Sequence, residues 1–223
     1  GKFEIPIINA TNETVMATKI SVFQCPSDRS QEFQITPTYA GGALSRPVAT
    51  KGNYVVSWGN TQWDQTSITV GSTTGNFLPS AFGHDGSINF ARVTDGQSNT
   101  VFMAEILQGA KFDIRGVIWQ SVPGGSHFMT RVTPNSSRDL LGGPVQGDFL
   151  NQTFFCVNEM GLPCVGGSGD RRAYAGARSK HPGGINALYG DGSVRFVKNT
   201  ISGPIWVSIN SISAGEVVSA DSY

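Results

Sequence analysis

Charge is scarce in this sequence. Only 14% of the 223 residues are charged, and 16 lysine and arginine residues balance 16 aspartate and glutamate residues. A chain without net charge creates no field that gathers nucleic acid or an anionic membrane surface. We therefore expect no nucleic-acid partner.

Long apolar runs are also missing. No stretch approaches the roughly 20 consecutive apolar residues of a membrane-spanning helix. The opening residues, GKFEIPIINATNETV, contain no apolar signal core. We therefore expect no membrane-spanning segment within this sequence.

Cysteine is sparse, with three residues, and none lies in a CxxC motif or a His/Cys cluster with the spacing of a zinc site. Cys156 and Cys164 enclose seven residues that include Gly161 and Pro163. A turn there can bring the two thiols together. We predict a disulfide formed in an oxidising compartment, with free thiols as the alternative. Cys25 is then unpaired and is expected to be buried as a small apolar residue.

Glycine and proline, by contrast, are plentiful, with 28 and 11 residues. Together with many serine, threonine and asparagine residues, they favour short strands joined by long turns. We predict a single globular domain over residues 1–223 of the α+β class, mainly β. Its parts are an antiparallel sheet, long loops and a short C-terminal helix. The polar residues 123–170 are expected to form a long, loop-rich insertion on the surface.

Apolar patterning locates the elements. The predicted strands are VMATKISVFQC (15–25), NYVVSWG (53–59), SITVG (67–71), NTVFMAEIL (99–107) and RGVIWQSV (115–122). Near the C-terminus, Ser202 is a candidate N-cap and Gly215 a stop signal. Between them, Ile205, Ile209 and Ile212 share one helical face. These signals predict a helix that packs its isoleucine stripe on the core.

The stretch KHPGGINALYGDGSVRFV, residues 180–197, predicts a β-hairpin. Asp191 and Gly192 suit a two-residue type I′ loop, in which both positions need positive φ. In that register, Tyr189 lies opposite Val194. One apolar face then carries Ile185, Ala187, Tyr189, Val194 and Phe196.

This hairpin separates His181 from Asp191. A strand rises roughly 3.3 Å per residue, so the two side chains are expected at opposite ends, about 20 Å or more apart. We assign Asp191 to the turn and His181 to a hydrogen-bonding clamp at the start of the strand. Neither is expected to bind a metal.

Motifs of common enzymes are missing. The sequence contains no G-x-S-x-G, H-E-x-x-H or Walker motif, and Ser126 beside His127 is a poor nucleophile-base pair. We expect no catalytic site and no cofactor. A structural calcium ion held by loop carboxylates is the alternative, although no EF-hand spacing is present.

Four segments carry a resemblance to a known family. HPGGINALYGDGSVRF resembles the H-x9-DG signature of a large bacterial family of prepilin-type proteins. Three other landmarks occur in that family's order: SVFQCPSD (21–28), RVTDGQSNTVFMAE (92–105) and SAGEVVSADSY (213–223). The matching residues, to which we assign structural roles, are His181, Asp191, Gly192, Cys25, Pro26, Asp28, Asp95, Gly96, Ser98, Asn99, Glu105, Gly215 and Glu216.

The resemblance implies a secreted or envelope-anchored protein with a prepilin leader, an apolar N-terminal helix and a β-rich, pilin-like globular head. This sequence contains neither leader nor apolar helix, so the head alone is expected. Its implied role is that of a structural subunit of an extracellular, pilus-like or pseudopilin-like filament, with copies of itself as partners. The alternative is a secreted module that binds glycan or a protein through exposed aromatic residues. Those aromatic residues are Trp58, Trp63, Trp119, Phe154 and Phe155.

Overall fold

A computed structural model of the chain describes residues 8–36, 44–84 and 89–215. The predictions for Glu216 and the rest of the C-terminal landmark after Gly215 lie outside these residues. The strands are β1 (Glu32–Gln34), β2 (Val48–Thr50), β3 (Tyr54–Ser57), β4 (Ile68–Val70), β5 (Thr73–Gly75), β6 (Val101–Glu105), β7 (His127–Phe128), β8 (Asp148–Leu150), β9 (Cys164–Gly166), β10 (Gly184–Tyr189) and β11 (Val194–Lys198). The α-helices are α1 (Glu13–Ala17) and α2 (Gly203–Ser208); short 3-10 helices span Ala10–Asn12, Ser21–Phe23, Phe90–Arg92, Gln97–Asn99, Thr153–Phe155 and Asp170–Arg172.

The main sheet has five strands in the order β11-β10-β6-β3-β7. Its pairs are antiparallel except β3 with β7, which run parallel. Smaller sheets join β1 with β2, β4 with β5 and, in parallel, β8 with β9. The mainly β class and the short C-terminal helix are thus confirmed. The sheet is mixed rather than purely antiparallel.

The hairpin of β10 and β11 is present, but the predicted register is wrong by one residue. Leu188, not Tyr189, lies opposite Val194. The backbone N–H of Tyr189 bonds to the carbonyl of Ser193, so the loop holds three residues, 190–192. Positive φ was predicted for both Asp191 and Gly192. Only Gly192 has it, at 84°.

A one-residue slip turns every side chain of a strand to the other face. Val194 and Phe196 therefore lie on the exposed face, and Val197 packs inward beside Ile185. Three-residue loops with glycine in the left-handed region are the next most common hairpin connection after two-residue loops. Gly190 makes this longer loop, which an Asp-Gly pair alone does not indicate.

Helix α2 starts as predicted but ends early. The Ser202 side chain accepts a bond from Ile205 N–H, and Pro204 lies in the first turn. The helix ends at Ser208, and Ile212 is buried in the irregular chain beyond it. Trp206 stacks on Phe128 and fills the core between α2 and the sheet.

Two predicted strands are wrong. Within residues 15–25 the chain forms the end of α1 and a 3-10 helix, because burial recurs four residues apart at Asn12 and Met16. Residues 115–122 are buried in part but form turns, in which Gly116 has φ of 89°. None of the described helices has the length and apolar character needed to cross a membrane.

Residues 123–170 are more than a surface loop. They contain β7, β8 and β9, and Phe128, Met129 and Leu150 are fully buried. Leu150 joins a second apolar cluster with Phe33 and Phe155. The prediction of a surface insertion is therefore wrong, because apolar residues spaced irregularly among glycines still reach the core.

Candidate functional site

Three side chains from separate landmarks meet at the end of β6. Cys25 follows the 3-10 helix Ser21–Phe23, Glu105 ends β6, and His181 precedes β10. Nε2 of His181 lies 3.1 Å from Glu105 Oε1 and 3.7 Å from Cys25 Sγ. All three ligand atoms lie within 4.8 Å of one another. We call these residues the Cys25–Glu105–His181 cluster.

The antiparallel pairing of β6 with β10 builds one side of the cluster. It places the end of β6 beside the start of β10, where His181 enters the strand. Asn186 of β10 fixes Glu105: its backbone N–H donates to Oε2 at 2.7 Å and its side-chain amide to Oε1 at 3.2 Å. Glu105 is only 2% exposed, so these bonds replace the water that a buried carboxylate has lost.

The CPSD turn builds the other side. Cys25 N–H donates to the side-chain carbonyl of Asn53, whose amide donates to Asp28. The Asp28 carboxylate also accepts a bond from the backbone N–H of Gln108. The backbone N–H of Asp28 donates to the Cys25 carbonyl and closes the turn. Pro26 occupies the exposed corner of this turn. Cys25 is therefore held by a polar network rather than packed only as a small apolar residue.

Tyr54 of β3 completes the surroundings. Its phenol lies beside Cys25 and Glu105. Burial raises the pKa of Tyr54, and the neighbouring Cys25 and Glu105 raise it further, so the phenol stays protonated at neutral pH. Tyr54 and Asn186 also line an apolar hollow of about 250 Å³ beside the cluster. The His181 side chain is 28% exposed, which opens the cluster to solvent.

The remaining landmarks form a joint of their own. Asp95 accepts bonds from the backbone N–H groups of Ala214, at 2.6 Å, and Gly215, at 3.0 Å. The Asn99 amide donates to the Asp95 carbonyl. Gly96 has φ of 93° and precedes the 3-10 helix that carries the exposed Ser98. The landmark at residues 92–105 thus holds the start of the landmark at residues 213–223 in place.

Asp191 does not join the Cys25–Glu105–His181 cluster. Its carboxylate accepts bonds from Ser193 N–H and Oγ within the hairpin loop, at the far end of β10 from His181. The hairpin loop lies against the landmark at residues 92–105, because Gly190 N–H donates to the Thr100 carbonyl. The predicted separate roles of His181 and Asp191 agree with these contacts.

The disulfide predicted from spacing is present between Cys156 and Cys164, and Cys25 is the free, buried cysteine. The aromatic residues that we expected to be exposed are mostly covered. Phe154 is 56% exposed, whereas Phe155 is buried against Phe33. Phe154 borders a cleft of about 510 Å³; its polar lining includes Gln120, Asn151, Gln152 and Asp170, and Trp63 forms another wall.

Sequence reasoning missed the cluster because its members lie far apart in the chain. Glu105 is separated from Cys25 and His181 by about 80 residues on either side, and no local spacing rule covers such distances. The available signal was that all three belong to the four landmarks. Comparison with known proteins gives one family: the model described as a protein of unknown function (DUF1559), SBP_bac_10, matches residues 1–203. No curated protein and no solved structure matches the chain.

Proposed function

The chain belongs to the DUF1559 family, and from that premise we propose that it is the globular head of a secreted, pilin-like structural subunit. The observation that carries this proposal is the use of the landmarks as joints between distant segments. Asp95 holds the backbone at Ala214, and Glu105 holds His181. Residues used in this way maintain a scaffold, and the family is related to the H-x9-DG prepilin-like proteins.

Three further observations support an extracellular filament. The Cys156–Cys164 disulfide fits an oxidising compartment, such as the cell surface. The outer edge strand β11 presents Val194 and Phe196, which are 64% and 42% exposed, towards solvent. With zero formal net charge, neighbouring heads repel one another little. Copies of this chain are therefore its proposed partners, once an N-terminal apolar helix concentrates them.

Electron microscopy tests the proposal. Cells that produce the full-length protein should carry thin fibres that antibodies against residues 1–223 decorate along their length. The isolated head should be monomeric at micromolar concentration in sedimentation experiments. Antibody label spread over the cell surface without fibres contradicts the filament. Ordered fibres formed by the isolated head contradict assembly through the helix.

The cleft beside Phe154 favours a second candidate function, glycan binding. Exposed aromatic rings pack against the apolar faces of sugars, and amide and carboxylate groups bond to their hydroxyls. Phe154→Ala should abolish saturable binding on a glycan array. Phe90→Ala is the matched control, since Phe90 is 58% exposed and does not line the cleft. A wild-type head that binds no glycan excludes this candidate.

A further inference from the structure

The Cys25–Glu105–His181 cluster brings three metal-donor atoms within 4.8 Å of one another. Both short contacts of His181 involve the same nitrogen, Nε2. A nucleophile-base-carboxylate relay uses the two different nitrogens of the imidazole, one for each partner. Convergence on a single nitrogen is instead the arrangement of ligands around an ion. We propose that Cys25 Sγ, Glu105 Oε1 and His181 Nε2 bind a divalent cation of the zinc class.

The distances between the donors fit such an ion. Zinc bonds of about 2.3 Å to sulfur, 2.05 Å to nitrogen and 2.1 Å to oxygen at tetrahedral angles place sulfur and nitrogen about 3.6 Å apart. They place nitrogen and oxygen about 3.4 Å apart. The structure has 3.7 Å between Sγ and Nε2 and 3.1 Å between Nε2 and Oε1. Each of these two separations is within about 0.3 Å of the tetrahedral value.

The chemistry of the donors selects the ion. A thiolate and an imidazole are ligands of zinc and related metals, whereas calcium and magnesium take oxygen ligands. The thiolate and the carboxylate together neutralise a double positive charge. Calcium, the alternative considered from the sequence, does not suit this site.

The surroundings hold the donors in place. Asn186 fixes both oxygens of Glu105, and Asn53 fixes the backbone of Cys25. Groups that orient metal ligands in this way normally contribute tenfold or more to affinity. Three protein ligands leave one position of a tetrahedral ion for water or for the adjacent Tyr54 hydroxyl. The bound ion would join three segments of chain at the start of β10. This proposal replaces our expectation that His181 and Cys25 bind no metal.

The first experiment uses metal alone. The 223-residue chain, with its disulfide intact, is stripped with a chelator and titrated with Zn²⁺ and with Co²⁺. We expect one equivalent of bound metal, and for Co²⁺ a thiolate charge-transfer band in the near ultraviolet. Cys156 and Cys164 are in the disulfide, so that band reports Cys25 without any substitution. Failure to bind one equivalent, or bound cobalt without the thiolate band, overturns the proposal.

Variants assign the other ligands. Cys25→Ser and His181→Ala should remove stoichiometric binding, and Asn186→Ala should weaken it about 10- to 100-fold. The matched control is His84→Ala, because His84 packs on Trp58 and Trp63, outside the cluster, and its loss should leave affinity unchanged. Circular dichroism checks the fold of each variant. Loss of binding in His84→Ala, or its retention in folded His181→Ala, overturns the assignment.

Discussion

His127 stacks on Trp58 with ring centroids 4.3 Å apart and ring planes at 15°. The histidine is buried, its Nδ1 lies 3.1 Å from Ser126 Oγ, and its Nε2 has no partner among the described residues. Burial, and to a smaller extent the nearby His84, lowers the pKa of His127 to about 3. The imidazole is therefore neutral in the folded protein at neutral pH.

This stack predicts a loss of stability in acid. Between about pH 6.5 and pH 3, His127 is protonated in the unfolded chain but not in the folded chain. The free energy of unfolding therefore falls as pH falls. The slope from this one group is at most about 1.4 kcal/mol per pH unit. Denaturant unfolding at pH 7 and pH 5 should show a smaller difference for His127→Phe than for wild type. A His127 ring that titrates near pH 6.5 in NMR spectra of the folded protein contradicts the prediction.

Asp95 should control the backbone that follows α2. Asp95→Ala removes the acceptor of the Ala214 and Gly215 N–H groups and should lower the free energy of unfolding by about 1–3 kcal/mol. Hydrogen exchange at these two amides should accelerate more than exchange in β6. Asp95→Asn keeps one side-chain acceptor and should show a smaller effect. Equal exchange in wild type and Asp95→Ala would count against this joint.

Gly192 tests the hairpin loop. Its φ is 84°, and a Cβ atom added there meets no neighbour within 4 Å, so any cost of substitution comes from the backbone. Gly192→Val should lower the free energy of unfolding by about 1–3 kcal/mol. Gly192→Asn should cost less, because asparagine tolerates the left-handed region. Thermal melts that do not separate the two variants contradict the loop assignment.

The Cys156–Cys164 disulfide closes a loop with a sequence separation of 8. Replacing both cysteines by alanine should lower the free energy of unfolding by about 2–3 kcal/mol, because the disulfide restricts the conformational entropy of the unfolded chain. Denaturant titrations of both proteins measure the difference. A double variant as stable as wild type contradicts this contribution.

Local patterns predicted the elements that depend on local interactions. The Ser202 cap, strand β6 and the disulfide each rest on residues a few positions apart, and each is present. The prediction of the hairpin register was wrong because Gly190 extends the loop by one residue. The end of α2 failed because Ile212 is buried by an irregular segment as effectively as by a helix.

The cluster and the core of residues 123–170 depend on distant contacts. Glu105 meets His181 because β6 and β10 are neighbours in the sheet, and strand order was not deduced from the sequence. The buried pair Arg178 and Asp148 has the same origin, since its members lie 30 residues apart. Local patterns placed β10 beside β11 through their short loop, but they carry no information about which distant strands lie side by side.

The strand order also sets the time at which this protein can fold. Strand β6 occupies the middle of the main sheet, yet its partner β10 is made more than 75 residues later, and β11 and α2 later still. Until the ribosome has delivered nearly the whole chain, one edge of β6 has unpaired N–H and C=O groups and the face that Trp206 covers is bare. Such an edge pairs readily with other chains. We therefore expect the incomplete chain to need chaperones, and we expect fragments that end before Gly184 to aggregate.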